Sequence, residues 1–148
     1  MEKTVVLPTF RESPSDQLGE PNGSYATITH HETHRRVCFT GGLAVEGDAA
    51  EQVRTVLERR REAIRDFGGS MDDVVVSRYY VRGDHLSRET QAAVHEARNA
   101  FFERPHYPAS TMVGVTSLLY EDALVEVELE AEIPDDEWDV SVLTEDDV

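Results

Sequence analysis

Apolar and polar residues follow one another along this chain with two periods, one typical of strands and one typical of helices. Blocks of β-branched and aromatic residues, such as Val74-Val75-Val76, favour strands. The pattern predicts strands over residues 3–7, 25–31, 35–43, 73–82, 111–118 and 124–133. The second and third of these form a hairpin, and residues 8–23, which are rich in Pro, Ser and Gly, form a loop.

Two segments follow the helical period instead. The first begins near Asp48 and ends at Gly68-Gly69, and the second begins after the capping residue Ser87 and ends before Pro105. Their apolar residues fall near one side of each helix: Val53, Val56, Leu57, Ile64 and Phe67 in the first, and Ala93, Ala97 and Phe101 in the second. The resulting order, β-β-β-α-β-α-β-β, predicts an α+β fold in which a mixed β-sheet is covered on one face by two helices.

The last predicted strand indicates what the other face of the sheet carries. Its residues alternate strictly, with Val125, Val127, Leu129, Ala131 and Ile133 on one face and Glu126, Glu128, Glu130 and Glu132 on the opposite face. The alternation by itself fits a solvated acidic face. It fits equally a face that another molecule covers, which would require water, ions or neutral protonation states around the acids.

Length and composition fit one domain. The chain has 148 residues, of which 39% are hydrophobic, and can bury a sizeable core. We predict this domain over residues 1–133, followed by an acidic segment over residues 134–148. This segment is either disordered or an added edge strand built on Trp138, Val140 and Val142, and the alternation favours the strand.

No apolar run approaches the ~20 residues that span a bilayer, and the first residues lack the features of a signal peptide. We expect a cytoplasmic protein without membrane contact.

Acidic residues dominate the charge. The chain has 30 Asp and Glu against 14 Lys and Arg, a formal net charge of -16, and Lys3 is its one lysine. Self-repulsion of this size destabilises a compact state in dilute buffer, whereas at molar salt the Debye length falls to ~3 Å and screens it. The pattern resembles cytoplasmic proteins of salt-accumulating halophiles, although an ordinary acidic surface gives a similar balance. The absence of a basic stripe argues against nucleic-acid binding.

The cysteine, a group of histidines and a run of arginines could carry chemistry, but each has a simple structural interpretation. Cys38 is the one cysteine and lies in an apolar run, so we interpret it as a small buried hydrophobic residue. His30, His31 and His34 match none of the strong zinc patterns and indicate an exposed polar hairpin. The basic run Arg59-Arg60-Arg61 lies among acidic residues of the first helix and is interpreted as a solvated, salt-bridged face. We predict neither a metal site nor a cofactor.

Short motifs in a defined order carry a more specific signal. Tyr107-Pro108-Ala109-Ser110-Thr111, followed by Val125-Glu126-Val127-Glu128, resembles the C-terminal signature of the RidA/YjgF family of small trimeric proteins, whose members hydrolyse reactive enamines and imines. Ser24-Tyr25, Phe39-Thr40-Gly41-Gly42 and Ala100-Phe101-Phe102 resemble further family motifs in the same order. The resemblance covers roughly residues 25–133. It implies a homotrimer that buries the uncovered sheet face and forms a small-molecule pocket at each subunit junction.

The resemblance also implies site residues. Glu126 stands where the family has its water-handling glutamate and is the candidate catalytic residue. The candidate substrate-binding residues are Tyr25, Thr40, Gly41, Ser110, Thr111 and Met112. Physical chemistry supports the role of Glu126, because hydrolysis of a C=N bond needs a positioned water and a group that accepts and returns protons. Glu126 meets this need if enclosure raises its pKa, and is otherwise an exposed strand glutamate.

One departure from the family pattern concerns the substrate. The family loop has an arginine that grips the substrate carboxylate, and Ser110 stands in its place with one hydroxyl and no charge. Loss of such a contact costs about 2–5 kcal/mol when the substrate charge is desolvated. We therefore expect weak hydrolysis of 2-imino acids, unless Arg104, Arg78 or Arg82, the nearest arginines by segment, replaces the anchor.

Two functions remain open from the sequence. The first is a hydrolase of a small enamine, imine or related metabolite that uses Glu126 and an intersubunit pocket. The second is a trimer that binds or senses a small ligand without catalysis. The charge of the chain disfavours a third, the translation-inhibiting ribonuclease role sometimes attached to the family.

Overall fold

The computed structural model describes residues 1–8 and 22–148, so most of the predicted loop lies outside the described residues. Its strands are β1 (Glu2–Val6), β2 (Ala26–His30), β3 (His34–Phe39), β4 (Gly42–Leu43), β5 (Val74–Arg82), β6 (Ala109–Val115) and β7 (Val125–Pro134). Its helices are α1 (Ala49–Asp66) and α2 (Arg88–Arg98). In these residues, neither helix is both long enough and apolar enough to span a membrane.

All strands join one mixed sheet. The order is β1-β2-β3-β7-β5-β6, and β4 also pairs with β7, beyond the end of β3. The pairs are antiparallel except β5 with β6, which is parallel and is connected through α2. The two helices contact each other, and α1 contacts β7. The predicted α+β fold, two helices on a mixed sheet, is confirmed.

The core lies between α1 and the apolar side of β7. Val125, Val127 and Leu129 have no exposed surface, and Leu57 and Ile64 of α1 are equally buried. Each such side chain contributes about 1.5–3 kcal/mol when it is removed from water. The alternation in β7 therefore fixes which side of this strand faces the helices, and it places the four glutamates on the open face of the sheet.

Side-chain caps define the helix starts that the sequence predicts. The Asp48 side chain accepts a hydrogen bond from the Glu51 N–H at 2.9 Å, and the Ser87 hydroxyl accepts one from the Thr90 N–H at 3.1 Å. The second helix ends at Arg98, before the predicted Phe101, which is nevertheless buried.

Two strand boundaries differ from prediction. The predicted strand over residues 35–43 is two strands, because β3 ends at Phe39 and the chain rejoins β7 only at Gly42. The predicted strand over residues 111–118 runs instead from Ala109 to Val115. Among the described residues it pairs with β5, which ends at Arg82, opposite Val115, so in that part of the chain residues 116–118 have no strand beside them.

The C-terminal segment forms no strand in the described structure, so the edge-strand interpretation is wrong. The segment follows β7, and β7 is already paired on both sides, with β3 and with β5. A side-chain hydrogen bond anchors the segment instead. Trp138 Nε1 donates a hydrogen bond to Asp73 Oδ1 at 2.8 Å. Asp73 is buried, while Val140 and Val142 are exposed.

Candidate functional site

Arginines from two neighbouring strands neutralise most of the acidic open face. Arg36 of β3 reaches Glu130 at 2.5 Å, and Arg78 of β5 reaches Glu128 at 2.7 Å and Glu130 at 2.8 Å. The Arg36 hydrogen bond is the main reason why the pKa of Glu130 lies below its ordinary value. Glu132 lies 3.1 Å from His34. The face is thus an ion-paired network rather than a row of free carboxylates.

Cys38 lies on this open face. It is half-buried, with its Sγ 3.8 Å from Glu130 Oε1. The interpretation of Cys38 as a buried core residue is wrong, because its alternation partners Val37 and Phe39 take the core side of β3.

Glu126 differs from the other three glutamates. None of the ion pairs formed within residues 1–8 and 22–148 includes it. It is half-buried between Leu43 of β4 and Tyr80 of β5. Burial raises the pKa of Glu126, and the negative charge of Glu128 on the same strand raises it further. A carboxylate with this pKa shift is suited to take up and return a proton.

Two glycines pack against charged side chains from opposite sides. A Cβ atom on Gly41 would overlap Oε1 of Glu126. A Cβ atom on Gly42 would lie 2.6 Å from Val56 Cγ1 and 2.8 Å from Arg60 Nη2. Because neighbouring residues of an extended chain face opposite ways, the Gly41-Gly42 backbone separates Glu126 on the open face from Arg60 on the helix side.

Gln52 fixes the start of the strand that carries Glu126. It is fully buried, and its Nε2 donates hydrogen bonds to the carbonyl oxygens of Asp122 at 3.0 Å and Gly47 at 3.3 Å. Its Oε1 accepts from the Leu124 N–H at 2.8 Å. These bonds tie the loop before β7 to α1, so they position Glu126 from behind.

A groove of about 880 Å³ runs between α1 and the strands. Among the residues that line it are Tyr25, Thr40 and Gly41, three of the predicted site residues. The Tyr25 ring packs edge-on against Phe39, with ring centres 5.9 Å apart. The structure therefore brings these three residues together, and the Gly41 backbone lies between the groove and Glu126.

Arg60 is a residue of this groove that the sequence interpretation missed. Arg60 is only 4% exposed, so its assignment to a solvated face is wrong. Its Nη2 donates to the Thr40 carbonyl at 3.0 Å, and its guanidinium lies 4.6 Å from the centre of the Tyr25 ring. The signal was present in the periodicity, because residue 60 follows the buried Val56 and Leu57 at helical spacing.

The remaining site residues lie elsewhere on the chain. Ser110, Thr111 and Met112 belong to the edge strand β6, opposite Ser77, Arg78 and Tyr79 of β5. Ser110 and Thr111 are exposed, and Met112 is half-buried against the core. Strand spacings put Ser110 roughly 14 Å from Glu126 across the sheet. Within one chain the predicted site is therefore split in two.

Two of the three arginines considered as replacement anchors are already occupied. Arg78 is held by Glu128 and Glu130, and Arg82 binds the Glu121 carbonyl and lies 3.4 Å from Asp84. Arg104 is exposed in the loop before β6.

The fold, a mixed sheet with two helices on one face, is that of a class of small α+β proteins. The other face of this sheet carries a half-buried glutamate that packs against a glycine. The chain belongs to the YjgF/RidA family: residues 20–133 match the family model described as endoribonuclease L-PSP. A comparison with curated protein sequences finds no match.

Solved structures agree with this membership. A YjgF-family protein from Mycobacterium tuberculosis is 26% identical, covering 89% of this chain and 100% of its own, with a TM-score of 0.69. Two structures share the fold at lower identity. One is a YjgF-family protein from Neisseria meningitidis, 20% identical over 93% of this chain and 98% of its own, with a TM-score of 0.70. The other is RidA from Psychrobacter sp. PAMC 21119, 23% identical over 76% of this chain and 89% of its own, with a TM-score of 0.63.

Proposed function

We propose that this protein hydrolyses the C=N bond of a small imine, or of the imine tautomer of an enamine, with Glu126 as the general base. The observation that carries the proposal is the state of Glu126: half-buried, outside the ion pairs of the open face, and with a raised pKa. The neighbouring Glu128 and Glu130 are held by arginine, and a carboxylate locked in an ion pair is a weaker proton acceptor.

The reaction follows from one proton acceptor and one water. Glu126 takes a proton from the water as the water oxygen bonds to the imine carbon, and it passes this proton to the nitrogen, which receives the C=N π electrons. In the resulting carbinolamine, Glu126 takes the hydroxyl proton as the C=O bond forms and the C–N bond breaks, and it gives that proton to the departing nitrogen, which leaves as ammonia. Water is the only co-reactant, so this scheme uses no cofactor.

Assembly completes the proposed pocket. Two half-sites are separated within one chain: one consists of Glu126 and Gly41, and the other of Ser110, Thr111 and Met112. The second half-site lies on β6, which is an exposed edge of the sheet. In the homotrimer that we propose, β6 of one copy lies over Glu126 of the next. Tyr25 and Thr40 line the groove on the helix side of the Gly41 backbone, so Gly41 is the residue that the groove and the proposed pocket share.

Ser110 restricts the substrate. It supplies a hydroxyl where a charged anchor would be needed to orient a carboxylate, so we propose that 2-imino acids are poor substrates at this pocket. The same observation supports a second candidate function, a trimer that binds a small ligand without turning it over.

Ammonia release from a panel of imines generated in situ, with spontaneous hydrolysis subtracted, tests the proposal. Glu126→Gln should lower the rate by at least about a hundredfold, because an amide cannot take up the proton of the attacking water. Glu132→Gln is the matched control, since Glu132 lies on the same face of β7 but away from Gly41, with His34 3.1 Å from its carboxylate. Equal rates for the wild type and Glu126→Gln would exclude Glu126 as the base, and no turnover of any imine would favour the ligand-binding alternative.

A further inference from the structure

Arg60 presents a buried positive charge that no acidic side chain of the described residues neutralises. It is 4% exposed, and none of the ion pairs formed within residues 1–8 and 22–148 includes it. Its Nε atom is buried without a hydrogen-bond partner in that part of the chain. Removing a charge from water is unfavourable unless an opposite charge or a full set of hydrogen bonds replaces the lost solvation.

The contacts that Arg60 does make hold its position without neutralising it. One bond goes to the Thr40 carbonyl, and the guanidinium lies 4.6 Å and 5.2 Å from the ring centres of Tyr25 and Phe39. Ring faces and a single carbonyl oxygen carry only partial negative charge. Arg60 is therefore preorganised, and its capacity to bind an anion is not used by the described residues.

The surroundings of Arg60 form a cavity large enough for a small molecule. Arg60 lines the 880 Å³ groove together with Arg59, whose Nη1 donates to the Leu43 carbonyl at 3.3 Å. Val56 and Phe67 add apolar lining. Glu62 and Asp66 also line the groove and are exposed, so a ligand with several negative charges meets repulsion there.

We propose that this groove binds a small monocarboxylate with an apolar body, whose carboxylate is held by Arg60 with Arg59 beside it. A planar guanidinium binds a carboxylate through two parallel hydrogen bonds, and one negative charge is compatible with the nearby acids. The site goes beyond the proposed function, because the Gly41-Gly42 backbone separates it from the carboxylate of Glu126.

A site-specific NMR titration tests this site. In protein labelled with 15N-arginine, the Nε–H signal of Arg60 is assigned by its loss in Arg60→Lys. Butanoate is titrated at constant KCl concentration, and butanamide, which has the same shape and no charge, is the control ligand. We expect butanoate to shift the Arg60 signal saturably and butanamide to leave it unchanged. A signal indifferent to butanoate, or one that responds equally to both compounds, overturns the proposal.

Variants then locate the charge. Arg60→Gln should weaken butanoate binding by at least about tenfold, whereas Arg65→Gln, on an exposed residue of the same helix outside the groove lining, should leave it unchanged. Binding is measured by calorimetry on variants whose circular dichroism matches the wild type. If Arg60→Gln does not fold, the wild-type titration decides alone. Glu126→Gln should retain butanoate binding, so loss of hydrolysis and loss of this site are separate results; abolished binding in Glu126→Gln overturns the separation of the two sites.

Discussion

The carboxylate of Glu126 occupies the space that a Cβ atom of residue 41 would need, so Glu126 and Gly41 are complementary. Gly41 is therefore required by a side chain on another strand rather than by its own backbone conformation. The contact joins the segment between β3 and β4 to β7. It also makes the position of Glu126 sensitive to a single methyl group.

We predict that Gly41→Ala displaces the Glu126 carboxylate and lowers imine hydrolysis by about tenfold or more, since misplacement of a catalytic group by about 1 Å is costly. Gly23→Ala is the control, because a Cβ on Gly23 would meet no atom of residues 1–8 and 22–148 within 4 Å. Rates and melting temperatures of both variants are compared with the wild type. Unchanged turnover by a folded Gly41→Ala protein would contradict a catalytic role for this contact.

The raised pKa of Glu126 predicts a trade between stability and activity. A carboxyl group whose pKa is higher in the folded state favours folding most at low pH, and this contribution is lost as the pH rises through the folded-state pKa. Glu126→Gln should therefore melt at a higher temperature than the wild type near neutral pH. The difference should vanish at pH values below the ordinary range of glutamate.

The same shift sets the acid limit of activity. Catalysis needs the ionised carboxylate, so the rate should fall with decreasing pH through a midpoint above the ordinary pKa of glutamate. A pH profile of kcat/KM for the best imine substrate measures this midpoint. A midpoint at or below the ordinary value would show that Glu126 is not the titrating base.

Ser110→Arg should improve kcat/KM for 2-iminopropanoate by about tenfold or more, because it supplies a charged carboxylate anchor on β6. Ser110 is exposed, so the larger side chain has room. Ser117→Arg adds the same charge just beyond β6 and should give no gain. Adding Glu126→Gln to Ser110→Arg should remove the improvement. A gain that survives this second substitution would place the general base elsewhere.

Salt should stabilise the protein. With a net charge of -16, self-repulsion is strong in dilute buffer and is screened at molar KCl, where the Debye length is ~3 Å. The melting temperature should rise as KCl increases from about 0.05 M to about 2 M. A flat or falling trend would contradict the halophilic interpretation and would leave the fold unaffected.

A homotrimer should be the main species by light scattering in molar KCl. In the proposed trimer, the half-site at Glu126 of one copy meets the half-site at Ser110 of another copy. A monodisperse monomer under these conditions would remove the intersubunit pocket, and with it the proposed contacts of Ser110, Thr111 and Met112 with substrate.

Local patterns predicted much of this fold. The caps Asp48 and Ser87 and the alternation of β7 depend on neighbours within a few residues, and such short-range rules are readable along a chain. They place the elements in order and decide that Glu126 faces away from the core. The order of the short motifs indicated the family.

Only the tertiary structure decided the electrostatics of the site. Glu128 and Glu130 are neutralised because β7 lies between β3 and β5, which bring Arg36 and Arg78 beside them across long sequence separations. The burial of Arg60 is likewise set by its neighbours in space. Along the sequence, a charge among acidic helix residues predicts a solvated side chain, whereas in the structure Arg60 is buried and bonds to the Thr40 carbonyl. Periodicity determines which side of an element faces the core, whereas strand pairing and helix docking determine which charges meet.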